Sequence, residues 1–337
     1  MNSVITKSTA VLYHYPCPDG AFAALAAHLY FSTVSKNQSP LLFFPNTVYN
    51  PLRPDQLPLH QIADVYLLDY VGPFGFVQDI SSKVNRVIIL DHHKTALEKL
   101  THDCSIGENV IKVIDIQRSG ATIAFDYFKQ KLVQDAVANF DVDVGSSSQH
   151  KVLNEFERMR KLYEYIEDGD LWKWSLPNSK ALSSGLKDLN IEFDALLNPN
   201  LFNQLLSLDM ETMISQGIVS LSHKQKLIDG VLNQSYSITL GGGAFGRCLA
   251  VDADSVSELR SELGHQLATK SQNLNFRGIG AVVYRVPELG NDQMLKISLR
   301  SVNEEDTTPI SQEFGGGGHR NASSFMLSST EFQKWKI

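Results

Sequence analysis

Short apolar runs alternate with helical patterns over the first two-thirds of the chain. Residues 10–13, 41–44, 65–68, 87–90 and 111–116 are apolar runs bounded by polar or turn-forming residues. Runs of this kind suit strands buried on both faces, as in a parallel sheet. Helical periodicity lies between them, in an alanine-rich stretch at 21–31 and again at 121–133. Strand and helix patterns in alternation predict βαβ units and an α/β fold whose N-terminal sheet is doubly wound and mostly parallel. Residues 141–150 are polar and serine-rich and predict a mobile surface loop. A charged helix is expected at 151–167, ending at Asp168-Gly169-Asp170-Leu171-Trp172, followed by a helical, strand-free stretch over 195–232. Beyond it the texture changes. Strands are expected at 235–240, 248–251, 279–286 and 295–302, with a helix at 257–270, which describes a smaller α+β domain with a mixed sheet. The expected organisation is a first domain over 8–190, a helical connector over 191–233 and a second domain over 234–337.

Composition narrows the class. A chain of 337 residues with 43% hydrophobic content has material for two cores. Residues 1–9 lack an apolar signal core and no run approaches a membrane span, so a soluble protein of the cytoplasm is expected, with an organellar location left open. Cys17, Cys104 and Cys248 are scattered and odd in number, which fits a reducing compartment. The net charge is −7, and the first 233 residues hold 20 Lys+Arg against 26 Asp+Glu. That balance argues against a continuous basic groove for long nucleic acid.

The candidate chemistry sits at strand ends. The first strand runs into His14, with Asp19 in the turn after it; 65–68 runs into Asp69; Val87-Ile88-Ile89-Leu90 runs into Asp91-His92-His93. Carboxyl ends of strands are where open α/β sheets place ligands. Aspartate and histidine together supply donors suited to Mn²⁺, Mg²⁺ or Zn²⁺. Taken singly, each residue has an ordinary structural explanation as a turn or cap, so their joint occurrence carries the argument. Carboxylates gathered on one patch repel unless a cation holds them. Two divalent ions bridged by a carboxylate would satisfy the cluster and suit phosphoester hydrolysis. Asp168 could reach the same patch from the end of the charged helix, with Asp170 as the alternative.

These residues resemble the DHH phosphoesterases, a family that includes RecJ-type exonucleases, oligoribonucleases, pAp phosphatases and cyclic dinucleotide phosphodiesterases. The likeness lies in His14-x-x-Cys17-x-Asp19-Gly20, Asp69, Asp91-His92-His93 and Asp168, and in Gly315-Gly316-Gly317-Gly318-His319 near the end. The last is similar to the glycine-rich signature of the first type of DHH-associated domain. The resemblance implies two Mn²⁺ ions bridged by Asp69, with His14 on one and Asp19, His92 and Asp168 on the other. It further implies that His93 faces substrate and that Asp91 supports the site. One position departs from the pattern, because Cys17 stands where most members have the first aspartate of D-x-D. A thiolate is softer than a carboxylate and suits Zn²⁺ better than Mn²⁺. Three readings stay open: Cys17 as a ligand, Cys17 leaving one ion weakly held, and Cys17 packing as a small apolar residue.

The second domain has a different chemical task. Consecutive glycines let backbone approach an anion closely and present N–H groups to it, which makes Gly316, Gly317, Gly318, His319 and Arg320 candidate phosphate binders. Arg300 resembles the family's nucleotide-gripping arginine. Trp172 and Trp174 are expected to wedge the Asp168 loop in place. Arg118-Ser119-Gly120-Ala121-Thr122 precedes a helix whose N–H groups could hold an anion or simply be capped by Ser119 or Thr122. The resulting expectation is a metal-dependent phosphoesterase with its site in the cleft between domains. Its substrates would be short oligonucleotides, pAp or cyclic dinucleotides, and homo-oligomerisation is left open. An exopolyphosphatase or pyrophosphatase, and a catalytically weak nucleotide-binding regulatory protein, are the alternatives.

Overall fold

The computed structural model describes residues 7–34, 40–47, 50–94, 96, 100, 107–138, 146–287 and 290–337. The fold is α/β. The chain divides into two compact units, Met1–Val219 and Ser220–Ile337.

In the first unit, β1 (Ser8–His14), β2 (Leu41–Asn46), β3 (Ile62–Leu68), β4 (Arg86–Asp91) and β5 (Val110–Ile114) form an all-parallel sheet in the order β2-β1-β3-β4-β5. Side-chain alternation along each strand feeds two cores. Val11 and Tyr13 of β1 face one, with helices α1 (Pro18–Val34), α3 (Gly120–Ala138) and α4 (Ser146–Asp170). Ala10 and Leu12 face the other, with Val77 and Ile80 of the short helix α2 (Phe76–Ser81). Helix α1 starts at Pro18, whose fixed φ suits the first helical position. Ala21, Ala23, Ala24, Ala26 and Ala27 are all fully buried, so α1 is apolar all round and packs closely against its neighbours. Because β3 lies beside β1 while β2 lies on β1's other flank, successive connections leave β1 in opposite directions. The resulting crevice at the carboxyl ends of β1 and β3 is a topological switch point.

Helices α5 (Ser179–Asp188) and α6 (Leu201–Leu206) complete the unit, and α7 (Met210–Leu232) runs across the division between the two. The second unit is a mixed six-stranded sheet made of β6 (Tyr236–Thr239), β7 (Arg247–Asp252), β8 (Ile279–Tyr284), β9 (Met294–Ser301), β10 (Gly317–His319) and β11 (Ala322–Ser328). Its order is β10-β11-β9-β8-β7-β6. Pairing is antiparallel except between β7 and β8, which α8 (Arg260–Asn273) connects. Gly241, Gly242 and Gly243 turn the chain between β6 and β7 with positive φ.

The structure corrects one expected element and adds two. Residues 146–150 are helical rather than loop, because α4 begins at Ser146; residues 141–145 of that expected loop lie outside the described residues. Helix α5 was not anticipated. Its serines mask the pattern, and Ala181, Leu182 and Leu186 bury its one apolar face. Strand β11 was missed as well, since Ser323 joins Phe325 and Leu327 on the buried face and interrupts the apolar alternation. No helix among the described residues is long and apolar enough to cross a membrane.

Candidate metal centre

The carboxyl ends of β1, β3 and β4 are adjacent in the sheet and deliver His14, Asp69 and Asp91 to one patch. Asp69, the first residue after β3, adopts a left-handed backbone with φ 56°, which an aspartate tolerates better than most side chains. Its N–H donates to Leu90 O at 2.8 Å, fixing it against β4. The side chain is buried. Its Oδ2 lies 3.1 Å from His14 Nδ1, and its Oδ1 lies 3.2 Å from His92 Nε2 and 3.6 Å from His93 Nδ1. Asp69 Oδ1 nevertheless has no hydrogen-bond partner of good geometry. Burial alone would raise this carboxyl, but the hydrogen bond to His14 and the close approach of the His14 and His92 rings hold it below the usual range.

His92 is set among carboxylates, with Asp170 Oδ2 at 3.6 Å and Asp19 Oδ2 at 3.7 Å besides Asp69. Burial opposes its charge, yet those three carboxylates raise its pKa to about 9. His93 is held differently. Its ring Nδ1 lies 2.7 Å from Asp91 Oδ1, which also accepts the backbone N–H groups of His92 and His93 at 2.6 and 2.9 Å. Asp91 therefore fixes the shape of the Asp-His-His turn and the orientation of one ring, the usual task of a carboxylate behind a histidine. The hydrogen bond that His93 donates to Asp91 also pushes the His93 pKa up.

Asp19, in the first turn of α1, is fully enclosed. Its Oδ2 accepts from Gly120 N at 2.7 Å and its Oδ1 from Ala121 N at 3.0 Å. Both alternatives for that helix start are met within the protein: the anion is the Asp19 carboxylate, capping α3 across the fold, and the Ser119 hydroxyl oxygen accepts from Thr122 N at 3.4 Å. Burial and the neighbouring charges of Asp69 and Asp170 push the Asp19 carboxyl well above its ordinary value. Gly120 makes the approach feasible: a Cβ there would stand 2.6 Å from Asp69 Cβ and 2.9 Å from Asp19 Oδ2. Sequence reasoning singled out this segment for its N–H groups and missed the need for glycine.

Asp168 and Asp170 part company at the end of α4. The Asp168 carboxylate turns back into its own loop, accepting from Ser175 N at 2.9 Å, from the Ser175 hydroxyl and from Leu176 N at 3.3 Å. Burial would raise it, but these bonds hold it below its usual range. Asp170 faces the cluster, and burial with the charge of Asp69 pushes its carboxyl up. The geometry brings Asp170, rather than Asp168, to His92. Trp174 packs beside Gly169, whose Cβ position lies 3.6 Å from the indole, while Trp172 is 79% exposed and wedges nothing.

These shifts set opposite signs for two substitutions. A carboxyl raised in the folded state costs stability at neutral pH, so Asp170→Asn should raise the melting temperature of metal-free protein by about 2–4 °C. Asp168 is depressed; its contribution is present above the unfolded pKa and lost as pH falls through the folded one. Asp168→Asn should therefore lower the melting temperature. If the cluster binds Mn²⁺ through Asp170, the ion should raise the melting temperature of Asp168→Asn and leave that of Asp170→Asn unchanged. Scanning fluorimetry with and without Mn²⁺ checks both, and the reverse pattern would assign the ligand to Asp168.

Among the described residues, three sets of donors each lie within 4.8 Å of one another: His14, Cys17 and Asp69; Asp69, His92 and His93; and Asp19, His92 and Asp170. The clustered acidic and histidine side chains could bind metal ions. The first set is nitrogen, sulfur and oxygen; the third is nitrogen and oxygen alone. Burial, then the charges of Asp69 and Asp19, push the Cys17 thiol up to about 12, so it reaches the thiolate form there only with a cation beside it.

The second unit holds the remaining candidates apart from this cluster in sequence. Gly317–His319 is not a loop but an edge strand, paired antiparallel with Ala322–Ser324. Gly316 is required by packing, since a Cβ there would meet Ser324 O at 2.1 Å. Gly317, Gly318 and His319 are exposed. Arg320 donates to the Glu304 carboxylate at 2.7 Å and to its backbone oxygen at 2.8 Å. Arg300 donates to Leu299 O at 3.0 Å and lies across Gly264, where a Cβ would come within 2.7 Å of its side chain.

No family model matches the chain. An uncharacterized protein, R106, of Acanthamoeba polyphaga mimivirus is 24% identical over 340 residues, covering 97% of this chain and 70% of its own length. Among solved structures, a pGpG-specific phosphodiesterase, PggH, from Vibrio cholerae aligns over 97% of this chain and 96% of its own, with 11% identity and a TM-score of 0.44. CDC45 from Entamoeba histolytica aligns over 97% and 94%, with 9% identity and a TM-score of 0.44. Likenesses this distant leave the function to be argued from the site itself.

Proposed function

We propose that the chain is a divalent-metal-dependent phosphoesterase acting on small nucleotide substrates, as its resemblance to the DHH phosphoesterases implies. The observation that carries this reading is the Asp69 carboxylate, buried at a sheet switch point with one oxygen toward His14 and the other toward His92. A buried carboxylate whose Oδ1 lacks a hydrogen-bond partner, next to two further carboxylates pushed above their ordinary range, fits a place for cations. His14, Asp69 and Cys17 would hold one ion; Asp19, Asp69, His92 and Asp170 would hold the other. Mn²⁺ is the first choice for the oxygen-rich set, with Mg²⁺ or Zn²⁺ as alternatives. When bound, the ions would stabilise negative charge developing on the phosphoryl oxygens.

The chain's own residues do the rest. Asp91 accepts from His93 Nδ1 and favours the imidazolium form, in which Nε2 would face substrate and donate a hydrogen bond to a phosphoryl or leaving oxygen. Arg300, His319 and the exposed backbone of Gly317 and Gly318 would grip a distal phosphate. Arg320 is already engaged by Glu304 and would contribute less. In this reading the ion-binding domain spans 8–190, and 234–337 is the substrate-binding domain, joined by 191–233. A screen of short RNAs, pAp, cyclic dinucleotides and polyphosphate with Mn²⁺ tests the proposal; product from none of them would sink it.

Cys17 favours one alternative, a catalytically weak nucleotide-binding protein whose first ion is poorly held. If sulfur is not a ligand, Cys17→Asp should tighten Mn²⁺ binding about ten-fold, because affinity follows ligand charge, and Cys17→Ser should change little. Calorimetric titration with Mn²⁺ and Zn²⁺ decides the matter. A loss of Zn²⁺ affinity in the serine variant would instead make sulfur a ligand.

A further inference from the structure

Beside the cluster, the first unit contains a cavity of about 540 Å³ whose lining includes Asp19 and Asp170. Ile166, Leu182, Leu186 and Phe193 make much of its wall, and the first three of these are buried or nearly so. Among the described lining residues Lys187 is the one cation. A polyphosphate chain reaching past Asp19 and Asp170 into this cavity would set its further negative charges against apolar walls, with a single lysine to meet them. A flat, uncharged ring with polar edges meets the same walls without that penalty. The volume falls in the range of about 300–1,000 Å³ typical of small-ligand sites.

Trp172, which also lines the cavity, supplies an independent observation. Its indole is 79% exposed on a residue with left-handed φ of 53°, and Trp174 meets it edge-on at 5.7 Å. A large ring held in solvent on a strained backbone forgoes burial. Such a ring presents a face on which a base can stack.

We propose that this cavity receives the nucleoside borne by the reacting phosphate, with Trp172 stacked on the base and Asp19 and Asp170 at the phosphate end. The inference rests on the phosphoesterase reading and adds to it a site that selects nucleotides over inorganic polyphosphates.

The test is calorimetric titration of the Mn²⁺-loaded full chain with AMP, inorganic phosphate and tripolyphosphate. AMP should bind at least about ten-fold tighter than phosphate. Trp172→Ala, which removes the stacking face, and Ser183→Phe, which fills the cavity from an exposed lining position, should each abolish that preference while phosphate affinity stays unchanged. Equal affinities in the wild type, tripolyphosphate binding tighter than AMP, or AMP binding untouched in both variants would overturn the assignment. AMP binding with this pattern but no hydrolysis of any phosphoester would refute the enzyme and keep the cavity; hydrolysis without AMP preference would do the opposite.

Discussion

Asp69→Asn should abolish turnover and leave a folded protein. Removing an outer-shell partner of a metal site costs about 10–100-fold; in the proposed reading Asp69 would serve both ions, so its loss should exceed that range and reach roughly a thousand-fold. The substitution keeps the volume of the side chain and its tolerance of a left-handed backbone, so the far-ultraviolet circular dichroism spectrum should match the wild type. Metal analysis after gel filtration should find fewer ions retained, and Mn²⁺ should no longer raise the melting temperature. A variant that keeps both its ions and its activity would remove Asp69 from the centre of the site.

Gly120→Ala should be nearly as damaging, although glycine carries no chemistry of its own. The added methyl would meet Asp69 and Asp19 at distances no side chain accepts, and the strain of overpacking costs about 1–3 kcal/mol. For a unit of this size that corresponds to a fall in melting temperature of about 2–12 °C. Relief requires moving the start of α3 or swinging the two carboxylates apart, and either movement spoils the donor sets. Mn²⁺ affinity should therefore drop by more than the stability loss alone explains. Gly230→Ala is the matching control, since nothing lies within 4 Å of the Cβ position there and alanine favours a helix. Equal behaviour of the two variants in fluorimetry and metal titration would refute the account.

How much of this was legible in the sequence follows from what each feature depends on. The central strands could be read because uninterrupted apolar runs have few other uses, and a run's end dictates which residue sits at the sheet's carboxyl edge. His14, Asp69 and Asp91 were therefore placed with the sheet. Asp170 was harder. Whether it or Asp168 faces the cluster depends on the phase of the last turn of α4 and on a loop that returns Ser175 and Leu176 to Asp168, neither of which has a periodic signature. Gly120 was beyond reach for another reason: its neighbour Asp19 is 101 positions earlier, and a lack of space between distant segments leaves no local mark. The edge strand at the glycine run left no mark in the sequence because glycine signals turns more often than strands; pairing with Ala322–Ser324 overrides that preference.

The wide spacing of the donors along the chain has a thermodynamic meaning. Residues 14, 19, 69, 92 and 170 meet only after the sheet has formed and α4 has docked, so an unfolded chain offers no comparable site. In the proposed reading, an ion that binds the native state alone adds stability by mass action, about 2.7 kcal/mol at a hundred times its dissociation constant. That is a sizeable share of the roughly 5–15 kcal/mol by which a domain usually holds its fold. Metal supply would then govern how much of the first unit is folded as well as how much of it is active, and a chelator would act on this protein as a mild denaturant.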